Sequence, residues 1–254
     1  MSTHTSSVPF IRITGLKKSF DQQKTLQGVD LDIHRGETMV LIGPSGEGKS
    51  VLLKHIIGLL NPDDGKVEME GTDLSHMKER QLLKMRRRMG YLFQNSALFD
   101  SLTVAQNVAF PLRESGVRDQ TEIDKRVSEA LELVELSEHK DKMPANLSGG
   151  MRKRVGIARA IIGKPDCVLY DEPTAGLDPI VTDVIDILIQ RLQKRFHVTS
   201  IVITHDMSSV FKIADRVAML KNGVIYFIGT RDELRNSSDP EIQNFIAGRS
   251  GMSA

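Results

Sequence analysis

The sequence predicts an α/β fold, a sheet with a helical lobe inserted in its middle, and three features carry that expectation. Short apolar runs rich in branched residues recur along the chain, with helically spaced stretches between them. A glycine-rich turn at Gly43–Ser50 stands between one such run and an apolar helix. The strand pattern stops near Ala97 and resumes at Cys167.

Taken in order, Phe10–Ile13, Val29–Ile33 and Thr38–Ile42 read as strands, and Lys49–Leu60 as an apolar helix after the glycine-rich turn. Lys66–Glu70 alternates with period two, the mark of a half-exposed strand. Met89–Phe93 is a further strand. From about Ala97 to Ile162 the reading is mostly helical, with Ile123, Val127, Leu131 and Val134 at helical spacing within Thr121–Leu136. Cys167–Tyr170 and Ser200–Thr204 suit buried parallel strands. The helix between them starts at Pro179, a residue suited to a first turn, and runs to about Phe196. Arg216–Lys221 and Val224–Gly229 flank Asn222-Gly223, a two-residue hairpin signal. The tail after Arg235 is polar and is expected to pack loosely.

Composition narrows the class. The chain has 254 residues, 34 Lys plus Arg against 33 Asp plus Glu, and one cysteine. That length fits one large domain, or one domain carrying an insertion. A net charge of +1 lacks the basic excess of a general nucleic-acid binder. A single cysteine allows no internal disulfide framework, which points to a reducing compartment. Cys167, inside an apolar run, reads as a small buried hydrophobe. The most apolar stretch, Val51–Leu60, is broken by Lys54 and His55 and is shorter than the ~20 residues of a spanning helix. Met1–Ser7 has no basic region followed by an apolar one, so no secretory signal is expected. Any membrane role is expected to come through a partner.

Two constellations carry chemistry. Gly43, Pro44, Ser45, Gly46, Glu47, Gly48, Lys49 and Ser50 fit G-x-x-x-x-G-K-[ST] between a strand and a helix. The glycines let the backbone curl so that successive N–H groups converge on phosphate oxygens. Lys49 supplies a point charge for the β- and γ-phosphates, and the Ser50 hydroxyl can ligate Mg²⁺. Such a loop alone says only nucleoside triphosphate. The second constellation is an apolar strand ending in Asp171 and Glu172. Asp171 stands at the carboxyl end of a strand, where open α/β sheets bind ligands, and is placed to hold the metal shell. Glu172 is placed to deprotonate a water. Alone, the two would be an ordinary solvated strand end.

Together these residues resemble those of the ATP-binding-cassette (ABC) ATPases, and the resemblance runs over almost the full length of the chain. The discriminating motif is Leu147, Ser148, Gly149, Gly150 and Met151, followed by Arg152, Lys153 and Arg154. Met151 departs from the usual Gln of that signature. The resemblance implies a P-loop NTPase fold with a RecA-like core sheet, an antiparallel β part and an inserted helical subdomain at about 95–162. The cassette would span 8–236, with 237–254 as a C-terminal tail. It implies ATP and Mg²⁺ as ligands. Gln94 would touch Mg²⁺ and the attacking water, and His205 would contact the γ-phosphate. Asp178 would cross a dimer interface, and Phe20 would stack on adenine in place of the usual Tyr. Val51 replaces a common Thr, so only its backbone N–H reaches the α-phosphate. The same resemblance implies a head-to-tail dimer in which Ser148, Gly149 and Gly150 close over the ATP of the second copy.

Residues 93–114, with Ala97–Phe99 and Asn107–Glu114 foremost, are similar to the Mla/Mce group of bacterial lipid transporters, as are Met151 and Asp239–Gly248. This implies a subunit on the cytoplasmic face of the inner membrane, working with integral membrane permeases, Mce-domain substrate-binding subunits and small regulatory subunits, with phospholipid as cargo and no nucleic acid. Read without the resemblance, those apolar residues show only a hydrophobic docking patch. Lys84, Arg86, Arg87 and Arg88 read as a solvated helical face rather than a lipid contact. His76 and His139 lack metal-ligand spacing, so no zinc is expected. Three alternatives stay open: an amino-acid-like solute importer, a soluble ABC protein of DNA repair or translation, and a P-loop kinase.

Overall fold

The computed structural model describes residues 8–249; Met1–Ser7 and the last residues of the tail lie outside the described residues. The chain forms two compact units. One takes the chain up to Lys78 and again from His205 onward; the other is Glu79–Thr204.

The first unit opens with β1 (Ile11–Phe20) and β2 (Gln23–Ile33), an antiparallel pair turning at Asp21, followed by β3 (Thr38–Ile42) and α1 (Lys49–Ile56). β4 (Asp64–Met69) and β5 (Thr72–Asp73) complete a four-stranded antiparallel sheet in the order β2-β1-β4-β5. β1 and β2 run further than the sequence suggests, and the cause is local. Ile11, Ile13 and Leu16 are buried, and the register shifts between Ile13 and Leu16, so the inward phase slips by one residue. A bulge of that kind breaks the period-two pattern by which a strand is read. α1 ends four residues before the expected Leu60, with Gly58 left-handed at φ 70° just past its end.

The second unit contains α2 (Glu79–Arg86), β6 (Met89–Leu92), α3 (Val104–Glu114), α4 (Gln120–Leu133), α5 (Gly149–Ile161), β7 (Cys167–Asp171), α6 (Pro179–Phe196) and β8 (Thr199–Ile203). β7 pairs in parallel with both β6 and β8, and every residue of the three strands is buried. That explains why they read as continuous apolar runs. Burial pushes the Cys167 thiol well above its usual range, as befits an inert core residue. Helix starts are set by side-chain caps. Thr103 and Gln106 form a capping box at α3, Asp119 caps α4, Ser148 caps α5 and Asp178 caps α6. Ile123, Val127, Leu131 and Val134 are all buried, as their spacing predicts.

Back in the first unit, the chain forms α7 (Met207–Ile213), β9 (Arg216–Lys221), β10 (Val224–Thr230), α8 (Arg231–Arg235) and α9 (Pro240–Ile246). β9 lies parallel to β3 and antiparallel to β10. The hairpin turns at Asn222 and Gly223, φ 52° and 72°, the positive pair that a tight two-residue turn requires. The expectation of a loosely packed tail is corrected. Asp239 caps α9, Ile242 is buried, and the Tyr226 hydroxyl donates to Asp239 at 2.7 Å while Lys221 pairs with Glu241 at 2.5 Å. A single apolar anchor, Ile242, escapes a reading that weighs average polarity.

Candidate functional site

In the first unit the phosphate loop leaves β3 at Gly43 and enters α1 at Lys49. Gly43, Gly46 and Gly48 have φ of 140°, 85° and 95°, which side-chain-bearing residues rarely adopt. At Gly43 a Cβ would lie 2.1 Å from the Leu220 carbonyl oxygen, so close backbone approach as well as conformation requires glycine there. Pro44, Ser45 and Gly46 are exposed, Glu47 and Ser50 intermediate, and Gly48 and Lys49 buried. The Lys49 ammonium donates to the carbonyls of Gly43, at 2.7 Å, and Pro44, at 2.8 Å. The loop therefore curls around its own lysine. Val51 lies in the first turn of α1 and its carbonyl accepts from His55 Nδ1 at 2.8 Å. Phe20 ends β1 and is 43% exposed, with the Lys18 ammonium over its ring, 5.7 Å from the centre. His205 is exposed, one residue ahead of the Asp206 that caps α7.

In the second unit Asp171 closes β7, and its carboxylate accepts from the Tyr91 hydroxyl at 3.3 Å. Burial, and then the neighbouring Asp171 charge, push the Tyr91 phenol far above its usual range, so it stays a donor at any physiological pH. Glu172 follows with φ 50°, in the left-handed region that costs a side-chain-bearing residue on the order of 1–3 kcal/mol. Its N–H donates to the Ile203 carbonyl at 3.0 Å, and its own carbonyl accepts from the Lys153 ammonium at 2.8 Å. The same ammonium donates to the Gln94 carbonyl at 2.5 Å. Gln94 and Glu172, 78 positions apart by number, are thus brought to one lysine. Burial pulls the Lys153 pKa down, with Glu172 and Asp171 opposing the shift.

The start of α5 is built for both capping and close approach. The Ser148 hydroxyl accepts from Met151 N–H at 3.3 Å, which is an ordinary N-cap. A Cβ on Gly150 would come within 2.4 Å of Val181 on α6, and one on Gly149 within 3.4 Å of Leu177. Ser148 remains exposed. Asp178, also exposed, accepts from Ile180 N–H and Val181 N–H at 3.0 Å each, so the second unit gathers Ser148–Gly150 and Asp178 at neighbouring helix starts.

Sequence reasoning missed Tyr91, Lys153 and Arg159 as parts of the site. Lys153 carried a signal: it shares the inward stripe of α5 with Gly150 and Ile157, so a charge stands on the apolar face. Arg159 donates to the carbonyls of Ser96, at 2.5 Å, and Ala97, at 2.7 Å, both left-handed at φ 60° and 44°. Asn107, fully buried, pins the following turn by accepting from Phe99 N–H and donating to the carbonyls of Phe99, Leu102 and Thr103. Among the described residues no cluster of three or more His, Cys, Asp or Glu is arranged to hold a metal ion. No helix among them is long and apolar enough to cross a membrane.

Comparison with known proteins gives the family. The ABC transporter family pattern matches residues 26–175. A Mycobacterium leprae protein named "Probable ribonucleotide transport ATP-binding protein mkl" is 41% identical over 94% of this chain and 69% of its own length. The methionine import ATP-binding protein MetN of Brucella abortus is 40% identical over 87% of this chain and 59% of its own. Among solved structures, the ATP-binding cassette MJ0796, a dimer bound to ADP and Pi, superimposes with a TM-score of 0.81 at 31% identity, over 87% of this chain and 98% of that one. The cbiO1 cassette of Clostridium perfringens gives 0.83 at 30% identity, over 93% and 94%. A glycine-cradled lysine on an α/β sheet defines a phosphate-binding nucleotide protein. The chain belongs to the ABC transporter family, as its ATP-binding subunit.

Proposed function

We propose that this subunit hydrolyses ATP to drive a membrane transporter, and that the cargo is phospholipid moved between the inner and outer membranes of a bacterium, as in the Mla/Mce group. The observation that carries the ATPase reading is the phosphate loop curled around Lys49, together with the Asp171–Glu172 strand end. Lys49 and the loop N–H groups bind the β- and γ-phosphates, and Phe20 stacks on the adenine, a contact worth ~1–3 kcal/mol per base. Glu172 accepts the proton of the attacking water, a general-base contribution of about 10²–10⁴. Gln94 orients that water, and His205 contacts the γ-phosphate. Asp171 and the Ser50 hydroxyl are oxygen donors of the kind Mg²⁺ takes alongside substrate phosphates, with Gln94 as a further ligand. When bound, Mg²⁺ neutralises charge developing on the phosphate oxygens. Two copies assemble head to tail, and Ser148, Gly149 and Gly150 of each close over the nucleotide of the other, with Asp178 at the interface. Integral permeases, Mce-domain subunits and small regulatory subunits complete the transporter at the cytoplasmic face of the inner membrane.

The lipid cargo rests on the similarity of residues 93–114, Met151 and Asp239–Gly248 to the Mla/Mce group. A second reading, import of a small polar solute, is favoured by the methionine import relatives. One experiment separates them: purification with the permease in gentle detergent, identification of partners by mass, and extraction of bound lipid. Phospholipid together with an Mce-domain subunit is the expected result. A polar-solute receptor in its place would overturn the cargo and leave the ATPase standing. In the same assembly, Ser148→Glu in both copies should abolish phosphate release, and a native rate would remove the two-copy sandwich.

A further inference from the structure

We propose that Lys153 is a positioning residue that fixes the backbones of Gln94 and Glu172 together and ties the general base to the helix that begins at Ser148. The inference rests on the reading of Glu172 as that base.

Lys153 is only 5% exposed, yet its hydrogen bonds go to main-chain carbonyls, one on Gln94 and one on Glu172. An ammonium is costly to remove from water, and an apolar side chain would fill the same volume without that cost. What the ammonium does that a leucine would not is hold two carbonyl oxygens at fixed places. At Glu172 the effect is specific. The residue is left-handed, and such a conformation persists only where its surroundings over-determine it. Here the N–H is held by Ile203 and the carbonyl by Lys153, so both peptide groups flanking the side chain are anchored. Beyond Gln94 the pattern repeats two turns further along α5, where Arg159 holds the carbonyls of the left-handed Ser96 and Ala97. One helix thus grips the loop after Gln94 at two points and the base at one. A displacement of α5, or of the loop, reaches Glu172 through a single ammonium.

A merely structural lysine would lower stability and weaken nucleotide affinity and turnover alike. The test is therefore a comparison of Lys153→Met, Glu172→Gln and the double variant in the full chain, reading steady-state phosphate release and binding of a fluorescent ATP analogue. Lys153→Met should lower kcat roughly 10- to 100-fold, the scale of a small misplacement in a catalytic group, while the analogue's Kd moves by less than about twofold. In the Glu172→Gln background the same substitution should change nothing further, because residues acting through one group are not additive. Effects that multiply, or a parallel loss of affinity and kcat, would overturn the proposal. A native kcat in Lys153→Met with a slow Glu172→Gln would overturn it alone. A native rate in Glu172→Gln would remove the base, and the inference with it. Should Lys153→Met not fold, Lys153→Gln, uncharged and shorter but with two N–H donors, must keep more of the native kcat than Lys153→Leu at unchanged affinity; equal losses in the two variants would again defeat the idea.

Discussion

The phosphate loop lies in the first unit and the carboxylate strand end in the second, and the two are held in opposite ways. The hydrogen bonds of the loop lysine are local. Lys49 bonds carbonyls five and six residues away, and glycines within the same eight residues supply the curl. The strand end is held from afar. Tyr91 reaches Asp171 across 80 positions, and Lys153 reaches Glu172 across 19 and Gln94 across 59. A binding element can be local because backbone N–H groups do the work. A general base must be aimed, and aiming takes contacts from several elements.

The sharpest way to break this contrast is at Lys49. Lys49→Ala removes a buried charge meant for phosphate, and ATP affinity measured calorimetrically should fall about 30-fold or more, since such truncations cost about 2–5 kcal/mol. Unchanged affinity would show that the loop does not depend on its lysine.

Next in size is Gly43→Ala, whose Cβ would meet the Leu220 carbonyl oxygen at 2.1 Å. Thermal unfolding should report a loss of about 1–3 kcal/mol, the range of overpacked sites. Gly46→Ala is the control. It meets nothing within 4 Å, so only its φ of 85° opposes it, and about 1 kcal/mol is expected. Equal losses at the two positions would mean that backbone approach to Leu220 is unimportant.

The smallest effect belongs to the distant half. Tyr91→Phe removes one long hydrogen bond to Asp171 and leaves the ring in place. A loss of about 1 kcal/mol of stability is expected, with turnover lowered by less than about tenfold. A larger collapse of turnover at full stability would make Tyr91 an equal of Lys153.

The legibility of each region followed its physics. Gly43–Ser50 could be read residue by residue because its spacing is its structure. Asn222-Gly223 was legible for the same reason, as was the start of α6 at Pro179. β1 and β2 were read short because a bulge shifts the inward phase. α9 was missed because its anchorage is one isoleucine and a few polar contacts. Tyr91 looked like one more aromatic in an apolar strand, and nothing adjacent in sequence marks it as a partner of Asp171.

The sequence by itself therefore determined the α/β class, the phosphate loop, the strand-end carboxylates and the hairpin turn. Each of these is written within a few neighbouring residues, through glycine's positive φ or the apolar run of a buried strand. Only the tertiary structure decided that Glu172 is left-handed and clamped on both sides. It also revealed that α5 holds the loop after Gln94 with two cations, and that Gly43 and Gly150 are glycines for want of space. These depend on which atoms meet after the chain has folded back on itself, a matter of packing between residues that no local pattern records.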